Sequence, residues 1–127
     1  MFVFDRFEPG AVYGVHRETL SADALRAWQE MFPDDPVGPA IPAGYISVVM
    51  MRAYFAVVTP RPPGNIHAGQ RLVVHALPRL GDRIEISVRC ARKEIRRDRR
   101  FVWLEFNATG SGGSSVFDAV MTSIVAE

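Results

Sequence analysis

The residues that could transfer protons are few, and they lie in predicted loops. Asp34 and Asp35 follow Pro33 in a proline-rich segment, and His67 lies in the loop that leads into a predicted strand. A carboxylate and an imidazole can exchange protons with a reacting molecule when a fold brings them together. Asp-Asp-Pro is also common turn chemistry, and a lone loop histidine is more often structural or exposed. Both interpretations stay open for these residues.

Three further positions could bind a negatively charged or polarised oxygen. Gly44 and Tyr45 stand at the start of a predicted helix, where free backbone N–H groups and the helix dipole favour an anion. Arg52 is the one charge inside that helix. Its side chain could reach solvent, pair with a carboxylate or bind a phosphate, and the first two together are the more common outcomes.

Other chemistries have no supporting pattern. The three histidines and the lone Cys90 are too widely spaced for a metal site, and no Ser, Cys or Lys stands in a nucleophile constellation. Cys90 cannot form an intrachain disulfide, and the N-terminus MFVFDRFEPG lacks the basic flank and apolar run of a signal peptide. We therefore expect a cytoplasmic protein. His16 and His75 fall in predicted strands as packed or surface residues.

Charge is balanced overall but uneven along the chain. Fifteen basic and 14 acidic residues give a formal charge of +1, which provides no global basic field for nucleic acid. Seven basic residues nevertheless cluster on one predicted hairpin tip: Arg89, Arg92, Lys93, Arg96, Arg97, Arg99 and Arg100. The ordinary interpretation of such a cluster is a solvated loop.

The candidate residues must be positioned by the segment Pro39–Val58, which we interpret as a helix apolar nearly all round. Such a helix has to be enclosed by protein or by a membrane. Arg52 divides it into segments much shorter than the ~18 to 20 residues of a membrane span, so enclosure by protein is predicted. The proline-rich loop 33–42 delivers the chain to the helix start.

The remaining elements are mostly strands. A strand is predicted over 11–18, and a short helix follows with Ser21 as its N-cap and Pro33 at its end. Four strands follow the long helix, at 70–77, 83–91, 101–108 and 116–125. The 127 residues suit one domain, 1–127, of the α+β class: an antiparallel meander wrapped around a long central helix. Open sheet edges favour a dimer.

This order of elements resembles the hot-dog fold, an antiparallel sheet of five to six strands around a central helix, and more narrowly the MaoC-like acyl-CoA dehydratases and hydratases. It is most similar to the degenerate N-terminal half of their double hot-dog members. Pro42–Tyr45 resembles the entry into that family's helix. The other matching residues are His67, Gly69, Gln70, Pro78 and Gly81-Asp82, within PGNIHAGQRLVVHALPRLGDRIEISV.

The resemblance implies reversible addition of water to a 2-enoyl thioester. In that family a carboxylate and an imidazole from an Asp-x-Asn-Pro-(Leu/Ile/Val)-His run hold the water, and a helix N–H stabilises the thioester oxygen. Aligning Pro36 with the motif proline puts Pro33 at the Asp and Gly38 at the His. Aligning Asp34 with the Asp instead puts Pro39 at the His. Neither register keeps the histidine, so Asp34, Asp35 and His67 are the catalytic candidates.

The resemblance also implies the partners. The expected ligand is an acyl-CoA or acyl-carrier thioester, with coenzyme A entering only as part of the substrate and with no other cofactor. Gly44, Tyr45, Arg52, Arg96 and Arg97 are the substrate-binding candidates, the last two for coenzyme A phosphates. A homodimer or higher oligomer is expected, or a hetero-oligomer with a catalytic hot-dog subunit. No nucleic acid or membrane partner is expected.

Two other functions stay open. A hot-dog thioesterase needs a carboxylate on or beside the helix to activate water, and residues 43–59 contain none, so only Asp34 or Asp35 could serve. A non-enzymatic acyl-binding or scaffolding hot dog is favoured by the same missing histidine and by the apolar two-sided strand at 101–104.

Overall fold

The computed structural model describes residues 1–35 and 38–127. A 3-10 turn at Phe4–Arg6 precedes the first strand, and another at Ser111–Gly113 precedes the last. The helices and strands in the described ranges are β1 (Val12–Thr19), α1 (Ala22–Met31), α2 (Tyr45–Val57), β2 (Ile66–Val74), β3 (Arg83–Arg96), β4 (Arg99–Thr109) and β5 (Ser115–Val125).

The five strands form one antiparallel sheet in the order β1-β3-β4-β5-β2. The predicted meander is therefore right for β3, β4 and β5 and wrong for β2, which pairs with β5 at the far edge. The physical reason is that β1 already occupies the free edge of β3, from Val12 beside Arg89 to Thr19 beside Arg83. The strand that follows α2 can join the sheet only at the opposite side.

The central helix α2 begins at Tyr45 with Gly44 as its N-cap, which confirms the start predicted at Gly44 and Tyr45. Residues 39–42, the first part of the wider segment Pro39–Val58, are not helical. Residues ahead of it make strand-like bonds to the segment before β3. Ile41 N–H donates to the Pro78 carbonyl at 2.8 Å, and Leu80 N–H donates to the Pro39 carbonyl at 3.0 Å. Prolines also disfavour helical geometry in the residue that precedes them, here Ile41 before Pro42. The helix therefore starts after the last of these prolines.

One face of α2 packs on the inner face of the sheet. Ile46, Val49, Met50 and Ala53 are fully buried there. They meet the inward residues of the strands, whose alternation was predicted correctly: Ile84, Ile86, Val88, Cys90, Val102, Leu104, Phe106 and Ala108. Complete enclosure of the helix was wrong in one respect, because Phe55 is 53% exposed and Val48 and Met51 are only partly covered.

Two local predictions at chain turns are confirmed. The Ser21 hydroxyl caps α1 by accepting from the Ala24 N–H at 3.3 Å. The basic cluster lies on the β3–β4 hairpin, whose tip residues Arg97 and Asp98 both have positive φ, 51° and 62°. No helix in residues 1–35 and 38–127 is long and apolar enough to cross a bilayer.

A polar trio stands on the outer face of the sheet. Asn107 Nδ2 donates to Asp118 Oδ1 at 2.6 Å, and His75 Nε2 lies 2.6 Å from Asp118 Oδ2. The hydrogen bond from Asn107, followed by that from His75, lowers the pKa of the Asp118 carboxyl below its ordinary value. Folding therefore favours the ionised form of Asp118.

We predict that Asp118→Ala lowers the free energy of unfolding at pH 7 by less than about 1 kcal/mol, because the pair is half exposed. A lowered pKa stabilises the fold above the unfolded value of about 3.9, and this contribution disappears as pH falls through the folded value. Urea unfolding at pH 5, 4 and 3 should show the difference in unfolding free energy between wild type and variant narrowing below about pH 3.9. A difference that stays constant or widens over this range would contradict the prediction.

Candidate functional site

The first turn of α2 presents backbone donors. Tyr45 N–H donates to the Pro42 carbonyl at 3.0 Å, and Ile46 N–H donates to the Ala43 carbonyl at 3.1 Å. The N–H groups of Ala43 and Gly44 have no acceptor in the part of the chain that the structure describes, and both residues are exposed. They stand at the positive end of the helix dipole, so an oxygen that gains negative charge is favoured there.

Trp28 of α1 covers this turn. A Cβ built on Gly44 would lie 2.9 Å from Trp28 Cζ2, so only glycine allows the indole to approach this closely. The indole ring also packs edge-on against Tyr45, with ring centroids 5.9 Å apart. Trp28 thus fixes α1 against the start of α2.

The same indole holds one of the predicted carboxylates. Trp28 Nε1 donates to Asp35 Oδ2 at 2.9 Å, and Asp35 is half-buried. Asp35 therefore lies one indole ring away from the exposed N–H groups at Gly44. Asp34 is exposed, and Pro36, the residue aligned with the motif proline, lies outside the described residues.

Trp28 is the site residue that sequence reasoning missed, since it was assigned only to the apolar face of α1. A half-buried tryptophan usually finds a partner for its indole N–H. Trp28 and Asp35 are seven residues apart, on either side of a helix end. This separation across the end of α1 is the feature of the sequence that points to the contact between Trp28 and Asp35.

A second set of polar contacts ties Arg52 to β1 and α1. Arg52 Nη1 donates to Glu18 Oε2 at 3.1 Å and to Tyr45 Oη at 2.9 Å. Tyr45 Oη in turn donates to the Ala24 carbonyl at 3.1 Å, and His16 Nε2 lies 3.1 Å from Glu18 Oε1. Of the alternatives left open for Arg52, the structure shows pairing with a carboxylate.

Burial and partners act on the charge of Arg52 in opposite directions. Burial, the largest effect, lowers the pKa of the guanidinium, while the charges and hydrogen bonds of Tyr45 and Glu18 raise it by more. The net shift is upward, so Arg52 stays charged. The Glu18 side chain is only 12% exposed and the Arg52 side chain 41%, so the arginine is the half of the pair that reaches solvent.

His67 lies beside α2 rather than beside Asp35. It stands at the start of β2, paired with Ser123, and borders an open groove of about 480 Å³ between α2 and the free edge of β2. The groove is lined by Ser47, Val48, Met51, Arg52, Phe55, His67 and Gln70. Asp35, Gly44 and Trp28 are absent from this lining. The structure therefore does not bring the predicted carboxylate and imidazole together.

Arg96 and Arg97 lie at the other end of the domain. The start of α2 is tied through Ile41 to Pro78, just before β3 begins, whereas Arg96 ends that strand. Fourteen strand residues span roughly 45 Å, more than twice the ~20 Å of α2. With Arg99 and Phe101 these arginines line a separate cavity of about 650 Å³. The predicted substrate-binding residues therefore fall into two separate places.

Solved structures share this arrangement of one sheet and one central helix. A MaoC-like dehydratase from Rhodospirillum rubrum superposes with a TM-score of 0.83 at 18% identity, covering 98% of this chain and 97% of that one. This chain has the hot-dog fold. No protein-family model and no curated protein sequence matches it.

Two other hot-dog structures are similar over nearly the whole chain. An R-hydratase from Pseudomonas aeruginosa has a TM-score of 0.78 at 20% identity, covering 98% of this chain and 86% of that one. A (3R)-hydroxyacyl-ACP dehydratase complex from Mycobacterium tuberculosis has a TM-score of 0.76 at 14% identity, covering 91% and 96%. At these identities the likeness establishes the fold.

We predict that Gly44→Ala displaces the Trp28 indole, because the added methyl would lie 2.9 Å from Cζ2. Overpacking of this kind costs about 1–3 kcal/mol. Urea unfolding measures the cost, and fluorescence of Trp28 in a Trp103→Phe background reports the displacement.

The matched control is Gly38→Ala, where a new Cβ meets nothing within 4 Å. Equal effects from both glycine variants would show that the indole does not pack on Gly44.

Proposed function

We propose that this chain binds acyl thioesters at the first turn of α2 and catalyses reversible hydration of the 2,3 double bond, as a MaoC-like hydratase or dehydratase subunit. The observation that carries the proposal is the pair of N–H groups at the exposed residues Ala43 and Gly44, which have no acceptor in the described chain and lie one indole ring from the Asp35 carboxylate. Hydratases and dehydratases with the same fold make this chemistry the first candidate.

The reaction assigns one role to each group. Asp35 accepts a proton from water as the water oxygen bonds to C3 of the enoyl group. Electrons of the double bond move toward the thioester oxygen, where the N–H groups of Ala43 and Gly44 stabilise the enolate. Asp35 then donates the proton that it took from water to C2. Dehydration is the same sequence reversed.

Within residues 1–35 and 38–127, no histidine forms a hydrogen bond or ion pair with Asp35 to share this work. Neither motif register provides a histidine, His16 pairs with Glu18, and His67 borders the groove along α2. The open groove and the unpaired edge of β2 lie on the same flank. We therefore propose that a second hot-dog chain, identical or different, covers this flank and completes the site. The M. tuberculosis dehydratase complex is a precedent for an assembly of this kind.

We predict that the purified chain, alone or with such a partner, hydrates crotonyl-CoA without releasing thiol. Loss of the conjugated thioester absorbance measures hydration, and a thiol reagent measures hydrolysis. Asp35→Asn should lower the hydration rate about 100-fold or more, the range expected for loss of a general acid–base group. The control is Asp34→Asn, which removes the neighbouring exposed carboxylate.

Three results would contradict the hydratase proposal. Release of thiol would indicate a thioesterase that uses Asp35 to activate water. Binding of acyl-CoA with neither reaction, even beside a partner, would indicate a non-enzymatic acyl-binding protein. Equal rates for the two asparagine variants would remove Asp35 from the reaction.

We further propose that Arg96 and Arg97 bind the phosphates of a thioester seated on another chain, since in their own chain they lie at the far end from Gly44. Charge reversal at both positions should weaken acyl-CoA binding and flatten its salt dependence, because exposed ion pairs are screened by salt. Titration calorimetry at two salt concentrations measures both effects. Unchanged affinity and salt dependence would leave the cluster as a solvated loop.

A further inference from the structure

Among the described residues that line the groove beside α2, Arg52 is the one with a permanent charge. Val48, Met51 and Phe55 make much of its wall apolar, and Ser47, Gln70 and His67 supply uncharged polar groups or a titratable ring. An acyl chain of plain hydrocarbon needs no arginine in such a wall. The presence of a cation there needs a separate explanation.

One of the three guanidinium nitrogens of Arg52, Nη1, already makes hydrogen bonds within the chain. Both contacts in the described chain, to Glu18 Oε2 and to Tyr45 Oη, come from Nη1. That nitrogen carries two hydrogens, so it is saturated. Nε and Nη2 have no acceptor within residues 1–35 and 38–127, and the side chain is 41% exposed. These two nitrogens form the planar fork that matches a carboxylate in a bidentate contact.

The fork is also held in place before a ligand arrives. Glu18 is mostly buried on β1 and Tyr45 is fully buried under α1, so the two acceptors of Nη1 come from packed elements. An arginine that is anchored on one edge loses less freedom when the other edge binds an anion. Glu18 also contacts His16 through its other carboxylate oxygen, so both oxygens of Glu18 have a partner.

The distance from the proposed thioester position suits a short ligand. Arg52 follows Gly44 by eight residues, about 12 Å of helix. Its side chain leans back toward the helix start, as helical side chains do, and contacts the hydroxyl of Tyr45. The guanidinium therefore lies nearer to Gly44 than its backbone does.

We infer that Arg52 binds a carboxylate at the far end of the acyl group, so that the chain selects thioesters of short dicarboxylic acids over those of plain fatty acids. This inference rests on the proposed function, since it assumes that the thioester lies at Gly44. The same fork could instead receive a phosphate of coenzyme A, because phosphate and carboxylate present similar paired oxygens.

The test compares two unreactive ligands that differ only in the terminal group, glutaryl-CoA and pentanoyl-CoA, with coenzyme A as a third. Titration calorimetry on the full chain should show glutaryl-CoA binding about tenfold or more tighter than pentanoyl-CoA, the range of a charge-assisted hydrogen-bond pair. Arg52→Gln should abolish that preference, so that glutaryl-CoA and pentanoyl-CoA bind the variant with equal affinity. Arg52→Lys, which keeps the charge beside Glu18 but lacks the fork, should retain only part of the preference.

The matched control is Arg17→Gln, which also removes an arginine paired with a glutamate, in this case the exposed pair of Arg17 on β1 with Glu85 on β3. It should keep the full preference for glutaryl-CoA. If Arg52→Gln fails to fold, the inference is tested by Arg52→Lys alone, which should lose part of the preference for glutaryl-CoA.

Each adverse outcome has a distinct meaning. Equal wild-type affinity for glutaryl-CoA and pentanoyl-CoA would overturn the inference and leave the proposed function standing. An equal loss of all three ligands in Arg52→Gln would assign the fork to a coenzyme A phosphate and overturn the carboxylate subsite. If none of the three ligands binds the wild-type chain, either alone or beside a partner hot-dog chain, both the inference and the proposed function are overturned.

Discussion

The contact between Trp28 and Gly44 is the constraint on which the rest of the candidate site depends. A side chain larger than hydrogen at residue 44 would push the Trp28 indole away. The same indole positions Asp35, because its Nε1 donates a hydrogen bond to the Asp35 carboxylate. One close approach therefore fixes the docking of α1 and the position of Asp35, a half-buried carboxylate near the helix start. The exposed N–H groups at the turn matter chemically because this contact leaves a carboxylate beside them.

A polar network supports the same junction from the other side. Arg52 connects Glu18 on β1 with Tyr45 at the start of α2, and Tyr45 reaches the Ala24 carbonyl on α1. Buried ion pairs contribute little net stability, because the cost of removing charges from water offsets their attraction. Apolar residues could join β1 to the helices as firmly. The value of the network lies in orientation, since it holds a charged group at a defined angle beside an apolar groove.

The sequence predicted what depends on local periodicity. Alternation in β3 and β4 and the Ser21 cap of α1 were confirmed, because each follows from a repeat or a cap within one element. The edge taken by β2 was not predicted, because it depends on the pairing of two distant segments, β1 with β3. The role of Trp28 was not predicted for the same reason, because its indole contacts Gly44 only where α1 packs against the start of α2.

The exposed flank of α2 connects assembly with chemistry. Phe55 is 53% exposed and Ile66 at the start of β2 is 51% exposed, so apolar surface and an unpaired strand edge stand side by side. Natural proteins rarely leave such an edge open, and a covering chain would bury both. The groove with Arg52 and His67 runs along this same flank. A chain that covers the apolar surface must also close the groove. We therefore expect the site to be complete only when the chain is assembled with a covering chain.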